Sequence, residues 1–393
     1  MKKTIMGIAL LSLALCPVAG SCAPSAQDTL DGNAFAFRLL RETVRSDGSS
    51  SVFVSPFSAS MALTVAANGA EGHTLQQMSE VLGFDALDLD GINGYYKQLA
   101  DRITSDSDVV MEIANSLWVS DQMKLRNPYM RKVRKGFGAD VFCRDFSLPS
   151  VPEEINSWCS DKTEGKIDRI IENISPADML YILNAVYFNG NWTKPFDKAA
   201  TVTKDFHAWD GSVQKADMMR QTSEFPYYSD DGLSMVELPY GEKGNFVMDL
   251  ILPDEGISIE EVLENLDAST FSRICTSMSC PKVCIELPKM ELEYDINLNS
   301  ILQGLGMKNA FTSAADFSGM SRIPLMISQV RQKTYLKVDE KGTEAAAVTA
   351  VSVMKASVNP EPPVRFTADR PFILIIRETC SGTVLFAGAV RSL

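Results

Sequence analysis

The sequence predicts a single-domain α+β protein in which helices surround a large central sheet. Two patterns predict this class. Apolar residues recur at three-to-four spacing early in the chain, and short apolar runs bounded by proline or glycine dominate the later part. No Pro/Gly/Ser-rich linker or repeat divides the 393 residues. Helices followed by many strands in one continuous core are typical of the α+β class.

The individual elements follow from the same two patterns. In chain order, the first half is predicted to contain helices Asn33–Val44 and Pro56–Gly69, strand Val109–Val119, helices Pro128–Gly138 and Pro152–Lys162, and strand Leu180–Phe188. A strand-rich region then runs from Phe206 to Pro253 and includes Glu237–Tyr240 and Phe246–Pro253. The remainder is predicted as helix Ile259–Leu266, strand Cys284–Leu292, helix Ile296–Leu305, and strands Phe372–Arg377 and Val384–Val390.

Composition and charge restrict the partners. The chain is 45% hydrophobic and 22% charged, with a net charge of −13. These values are typical of a soluble globular protein. The acidity argues against nucleic acid or an anionic membrane surface as a partner, and we expect no basic cluster to offset it.

The N-terminus has the features of an export signal. Lys2 and Lys3 precede a short apolar core, Ile5–Pro17. This core is too short to span a bilayer, and it is removed with the signal when the protein is processed. Ala19-Gly-Ser-Cys22 resembles a bacterial lipoprotein box, which favours residues 1–22 as signal and Cys22 as the lipid attachment site. The alternative is a plain secretory signal cut after Ala19 or Ala23. Residues 23–393 then form the exported domain.

The cysteines and histidines argue against metal and catalytic chemistry. Six cysteines follow Cys22, an even number that permits disulfides in an exported protein, although buried free thiols are the alternative. With no paired zinc-ligand spacing, we expect no metal and no cofactor. His73 and His207 are the only histidines, predicted in a surface loop and a strand. No Gly-x-Ser-x-Gly elbow or phosphate loop occurs, so we expect a non-enzyme.

The segment from Val338 to Ser357 is ambiguous on its local pattern. Glu-Ala-Ala-Ala after Thr343 favours a helix capped by that threonine. Five β-branched residues from Thr343 to Val353 oppose a helix. As a strand, the segment would present one face of small or β-branched side chains: Thr343, Ala345, Ala347, Thr349, Val351 and Val353. A segment able to be both loop and strand predicts a conformational switch.

Seven motifs, in order along the chain, resemble those of the serpin family. They are Val54–Ser58, Gly69–Thr74, Ile155–Ile167, Asn184–Phe196, Glu237–Tyr240, Ala315–Gly319 and Phe366–Ile376. The resemblance implies the serpin fold, with helices around a large central mixed sheet, two further sheets and an exposed reactive-centre loop at about residues 340–363. It resolves the ambiguous segment as that loop and its hinge.

The resemblance also implies an inhibitory mechanism. A protease cleaves the loop and forms an acyl-enzyme, and the loop then enters the large sheet as a new strand, carrying the protease with it. The implied hinge comprises Glu340, Gly342, Thr343, Glu344, Ala345, Ala346 and Ala347. No bulky, charged or proline residue stands at its inward positions, which favours an inhibitor. The alternative is a non-inhibitory serpin that acts as a binding or chaperone-like module.

Family spacing from Gly342 implies a reactive bond at Ala356–Ser357. Alanine before the cut suits the small pocket of elastase-like serine proteases. Lys355 is the second choice and suits trypsin-like or papain-like enzymes, and Met354 suits chymotrypsin-like enzymes or cathepsins. We expect a monomer whose partner is the target protease.

A last group of residues is implied to control opening of the sheet: Ser55, Ser58, Asn184, Trp192 and Gln332. Where the family often has a histidine, this chain has Gln332. Its carboxamide is predicted to hydrogen-bond Ser55 or Asn184. A pH-sensitive imidazole is absent from this position.

Overall fold

The computed structural model describes residues 32–84, 89–106, 109–137, 139–230, 232–343 and 362–393. Their α-helices are α1 (Gly32–Asp47), α2 (Pro56–Ala67), α3 (Gly72–Leu82), α4 (Leu89–Thr104), α5 (Asn127–Phe137), α6 (Val151–Lys162), α7 (Ile259–Asn265), α8 (Ala268–Thr276) and α9 (Asn299–Leu305). The first six strands are β1 (Val52–Val54), β2 (Val109–Ser120), β3 (Asp140–Arg144), β4 (Leu180–Asn191), β5 (Val202–His207) and β6 (Val213–Glu224). The others are β7 (Tyr227–Asp230), β8 (Leu233–Tyr240), β9 (Phe246–Pro253), β10 (Lys282–Pro288), β11 (Met290–Asn297), β12 (Gln329–Val338), β13 (Gly342–Thr343), β14 (Val364–Thr367), β15 (Phe372–Glu378) and β16 (Val384–Val390).

The large sheet has the strand order β11-β12-β4-β2-β3, with the short β13 also paired to β4. Strand β4 runs antiparallel to β2 and parallel to β12, so the sheet is mixed. Its side chains alternate between two apolar cores. Leu180, Ile182 and Val186 enter the main core, whereas Leu183 and Ala185 enter a smaller core that includes Ile155 and Cys159 of α6.

Two further sheets complete the predicted α+β architecture. One has the order β1-β16-β15-β9-β8-β7 and the other β14-β10-β6-β5. Strands β9, β15 and β16 are buried at every residue. Their near-continuous apolar sequences reflect burial on both faces of the sheet.

Helix α2 lies inside the protein, and all of its residues are buried. It begins at Pro56 because Ser55 caps it, with the Ser55 hydroxyl accepting the Ser58 backbone N–H at 3.4 Å. The helix packs against β2, β4 and β16. Its first turn is therefore fixed beside the large sheet.

The structure corrects several predicted elements. The single strand predicted over Cys284–Leu292 is wrong, because the chain forms β10 and β11 in different sheets, with Lys289 between them. The helix predicted from Ile296 starts instead at Asn299. His73 lies exposed in helix α3 rather than in a loop. Thr343 lies in strand β13.

Within the described ranges, no helix is both long and apolar enough to cross a membrane. No group of three or more His, Cys, Asp or Glu side chains there is arranged to hold a metal ion. The thiols of Cys159 and Cys275 are free, and burial raises the pKa of each to about 12. These two thiols are therefore unreactive at neutral pH.

A buried charge cluster joins three adjacent strands of the β1–β7 sheet. The Arg377 Nε donates to Asp249 Oδ2 at 2.7 Å, and the same guanidinium pairs with Glu237. Two carboxylates thus share one cation. Burial, reinforced by the nearby Asp249 carboxylate, raises the pKa of Glu237 to about 7 despite the attraction of Arg377.

We expect Glu237→Gln to reduce the pH dependence of stability. The pKa of Glu237 in the unfolded chain is about 4.3. Since the folded pKa is higher, the stabilising contribution is complete below about pH 4.3 and is lost as the pH rises through about 7. The free energy of unfolding, measured with urea, should fall less between about pH 5 and pH 8 for the variant than for the wild type. The exposed Glu255→Gln control should follow the wild type. Identical pH profiles for all three proteins would contradict the assignment.

Candidate functional site at the divided end of the large sheet

The large sheet divides between its central strands β12 and β4. These strands are paired from Gln329–Tyr181 to Tyr335–Tyr187. Beyond that point β4 pairs antiparallel with β13 instead, with Thr343 opposite Gly190 and Gly342 opposite Asn191. The chain leaving β12 therefore turns back and starts a new strand in the widening gap. A strand extended from β13 would run antiparallel to both neighbours.

Hydrogen bonds from the end of β4 hold the turn before β13. Trp192 Nε1 donates to the Asp339 carbonyl at 3.0 Å, and its backbone N–H donates to the Lys341 carbonyl at 2.8 Å. The Phe196 N–H reaches the Glu340 carbonyl at 2.7 Å. The Trp192 ring is fixed by stacking on Tyr240, with centroids 4.4 Å apart. Trp192 thus anchors the turn directly.

The predicted hinge residue Glu340 is a buried anion with partners. Its side chain accepts the Thr201 hydroxyl at 2.9 Å and the Lys289 ammonium at 3.1 Å. Burial acts to raise the pKa of Glu340, but its backbone N–H, Thr201 and Lys289 together lower the pKa below the ordinary value. The carboxylate is therefore charged at neutral pH and fixes the start of the hinge.

Gly342 is required by close backbone contact. Its φ is 153°, and a Cβ at this position would lie 2.1 Å from the Gly190 carbonyl oxygen. Any side chain would push β13 away from β4. Gly342 therefore permits the first pair of the new strand.

Thr343 is fully buried on the face of the sheet that meets the main core. Its hydroxyl lies 2.9 Å from the Tyr240 hydroxyl. Burial raises the pKa of Tyr240, so the phenol stays protonated and able to donate. This position therefore accommodates a small side chain with a hydroxyl group.

A second group of residues, the polar cluster, links the start of α2 to three strands of the large sheet. It consists of Ser55, Ser58, Asn115, Asn184 and Gln332, all buried. Buried polar groups are tolerated when each finds a partner, and such networks favour a single arrangement.

Gln332 is central to this polar cluster. Its Oε1 accepts the Ser55 N–H at 2.8 Å, and its Nε2 donates to the Ser55 carbonyl at 2.9 Å and to Asn184 Oδ1. The predicted hydrogen bonds to Ser55 and Asn184 therefore both form. Asn184 in turn donates to Ser58 Oγ and Asn115 Oδ1. The cluster therefore connects β12 to β4 through Gln332 and Asn184, and β4 to β2 through Asn184 and Asn115.

The structure separates the residues that the sequence predicted together for sheet opening. Four of them belong to the polar cluster at the middle of the β12–β4 pairing, whereas Trp192 lies just after β4, beyond the last β12–β4 pair. Sequence reasoning missed Asn115 of the cluster, and Tyr240 and Lys289 beside the hinge. A polar residue inside a predicted buried strand, such as Asn115 in β2, is the signal that could have indicated the first of these.

Some predicted residues lie outside the described residues: the distal hinge residues Glu344, Ala345, Ala346 and Ala347, the reactive-bond residues Met354, Lys355, Ala356 and Ser357, and Cys22.

The architecture and this site define a class of proteins in which a large mixed sheet holds the start of an additional strand between its central strands. The sequence model of the family described as Serpin (serine protease inhibitor) matches residues 31–393. The chain belongs to the serpin family.

Individual relatives agree with this assignment. An uncharacterized serpin-like protein of Thermococcus kodakarensis is 38% identical over 92% of this chain and 84% of its own length. The native structure of a thermophilic serpin, tengpin, has a TM-score of 0.87 at 31% identity, covering 95% of this chain and 96% of tengpin. Thyroxine-binding globulin in complex with thyroxine has a TM-score of 0.84 at 26% identity, covering 94% and 99%.

Proposed function

We propose that this protein inhibits proteases by covalent trapping. The nucleophile of a serine protease attacks the Ala356 carbonyl, and the bond to Ser357 breaks. The new amine takes a proton from the protease's general acid, and an acyl ester joins the two proteins. The freed loop then extends β13 into the large sheet before water hydrolyses the ester. Cysteine proteases, which would form a thioester, are the second target class.

The observation that carries this proposal is the β13–β4 pairing. Nucleating a strand costs conformational entropy before hydrogen bonds are gained. Here Gly342 and Thr343 are already paired with β4. About fourteen further residues at about 3.3 Å each would give a strand of roughly 45 Å, enough to cross a sheet.

Insertion exchanges one kind of pairing for another. The parallel β12–β4 contact from Gln329 to Tyr335 must separate. Two antiparallel contacts replace it, and antiparallel pairing is slightly more stable per residue. The intact protein is therefore the less stable arrangement, and cleavage releases the stored free energy.

A binding module is the second candidate. The similarity to a solved complex of thyroxine-binding globulin shows that this fold is also used to bind a small molecule. Such a protein would be cut in the loop without retaining the protease.

The deciding experiment mixes the protein with elastase, trypsin and a papain-like protease. We expect an SDS-stable adduct, strongest with elastase, and a released peptide whose mass matches Ser357–Leu393. The cleaved protein should melt at a much higher temperature than the intact protein. Complete cleavage without an adduct, at an unchanged melting temperature, would support the binding module instead.

We further propose that the protein acts outside the cytoplasm of a bacterium as a monomer. The support for export is the sequence of residues 1–22, with Cys22 at the end of a small-residue run. An exported inhibitor would meet proteases from other cells. Among these, an elastase-like enzyme is the favoured target because Ala356 precedes the proposed reactive bond.

A further inference from the structure

A cavity of about 320 Å³ lies between the N-terminal end of helix α6 and the segment that leads into β4. Phe146 and Leu148 line it from the turn before α6, and Glu153 lines it from the first turn of α6. Glu172 and Ile174 line the opposite wall. We call this cavity the α6 pocket. It lies at the start of β4, whereas the large sheet divides at the end of β4.

Hydrogen bonds within the protein hold both walls of the α6 pocket. On one side, the Asp145 carboxylate accepts the Ser147 N–H at 2.9 Å and fixes the turn before α6. On the other side, the Asn156 side-chain amide donates to the Ile171 carbonyl at 2.8 Å. Three of the lining residues restrict the backbone further because they are prolines: Pro149, Pro152 and Pro176. The pocket is therefore formed in advance, and a ligand would not have to order it.

The floor of the α6 pocket is apolar. Phe146 is buried, and its ring meets the edge of the Tyr181 ring with centroids 5.7 Å apart. Ile174 packs against the same small core. Leu148, next to this floor, is 50% exposed. A ligand longer than the cavity would gain free energy by covering this leucine.

The surroundings of the α6 pocket are acidic. Residues 145–178 contain eight Asp and Glu against three Lys and Arg. Glu153 lies in the first turn of α6, where the helix dipole favours a carboxylate. Its pair with Arg169, at 3.5 Å, is weak because both side chains are more than half exposed.

Glu172 has no such structural explanation. It lies outside every helix, and among the described residues it forms no ion pair. Neither a helix dipole nor an internal cation therefore accounts for its carboxylate beside an apolar floor. A cationic ligand would be complementary to it.

We propose that the α6 pocket binds an arginine side chain, together with an adjacent apolar residue, on an exposed segment of a partner protein. The cavity is at the small end of the range for small-molecule sites, which suits one or two side chains. The apolar stem of an arginine can cover the Phe146–Ile174 floor, while its planar guanidinium donates to carboxylates of both walls. The apolar neighbour covers Leu148. This proposal does not depend on the proposed inhibition of proteases.

The test measures binding of a fluorescently labelled peptide, acetyl-Gly-Leu-Arg-Leu-Gly-amide, to the intact protein by anisotropy. We expect saturable binding that weakens as salt is added. The variant Glu153→Gln, Glu172→Gln should bind at least about tenfold more weakly, because hydrogen bonds to charged groups are about twice as strong as neutral ones. Leu148→Ser should weaken binding about threefold or more, since less apolar surface is covered. All three side chains are exposed, so the melting temperature should be nearly unchanged.

Matched controls separate this site from general charge. Glu80→Gln, Glu255→Gln removes two exposed carboxylates elsewhere and should leave binding within about twofold of the wild type. The peptide with glutamine in place of arginine should bind at least about tenfold more weakly. Equal loss in the two double variants, or no saturable binding of the arginine peptide, would overturn the proposal. Equally tight binding of free butylguanidine would also overturn it, because the pocket would then take a small cation rather than a segment of a partner.

Discussion

Thr343→Arg should convert the protein from an inhibitor into a substrate. Thr343 is completely buried beside Tyr240, and the strand that follows it must enter through the same gap. Burying an unpaired guanidinium there costs several kcal/mol, so the arginine should hold β13 out of the gap in the intact protein, and this cost must then be met when the loop inserts. Each increment of about 1.4 kcal/mol in the insertion barrier slows insertion tenfold. Hydrolysis of the acyl-enzyme then precedes insertion, and the protease is released active.

The measurement is the number of inhibitor molecules consumed per protease inactivated, together with the yield of SDS-stable adduct. We expect the ratio of SDS-stable adduct to cleaved protein to be at least about a hundredfold lower for the Thr343→Arg variant than for the wild type. Thr343→Ser is the matched control, because it keeps the hydroxyl near Tyr240, and it should remain an inhibitor. Normal adduct formation by the arginine variant would rule out insertion through this gap.

Gln332→Leu should weaken the closed sheet. The substitution leaves the Ser55 N–H and Asn184 Oδ1 without a partner, whereas the Ser55 carbonyl keeps its hydrogen bond from the Ala59 N–H. Each buried polar group left unsatisfied costs about 1–3 kcal/mol. We expect a loss of about 3 kcal/mol or more in the free energy of unfolding, and faster loss of inhibitory activity on warming as the loop inserts without cleavage.

Urea unfolding and the time course of activity loss measure the two effects. Gln329→Leu provides the control, since Gln329 lies half-buried in the same strand outside the polar cluster. It should retain nearly normal stability and activity. If both leucine variants behave alike, the cluster does not hold the sheet closed.

Much of the fold was predictable because its elements have strong periodicity. The strands at Phe246–Pro253 and Val384–Val390 are found with the predicted bounds. The error at Cys284–Leu292 has a local cause. The apolar run continues across Pro288, whereas the chain changes sheets there, so the pattern alone could not separate β10 from β11.

The candidate site was predictable in part, for a different reason. Residues such as Gln332 and Asn184 were identified by family resemblance, and their hydrogen bonds follow from their side-chain chemistry. Tyr240 and Lys289 contact the hinge from strand β8 and from the link between β10 and β11, far away in sequence. No local pattern connects such distant segments. The expectation of no basic cluster was wrong for a simpler reason. Six Lys and Arg side chains fall within residues 124–135, and a net charge averages over the whole molecule.

The pairing of Thr343 with Gly190 also sets the phase of any strand that grows from it. Because side chains alternate, a slip of one residue would turn Glu344 toward the main core. In the observed phase, Glu344 would instead come opposite Asn189, next to Tyr187 on the face toward α6. The Lys166 ammonium lies 5.9 Å from the centre of the Tyr187 ring. The only acidic residue in the first part of the incoming strand would thus lie on the same face of the sheet as Lys166, and in a strand misaligned by one residue it would not.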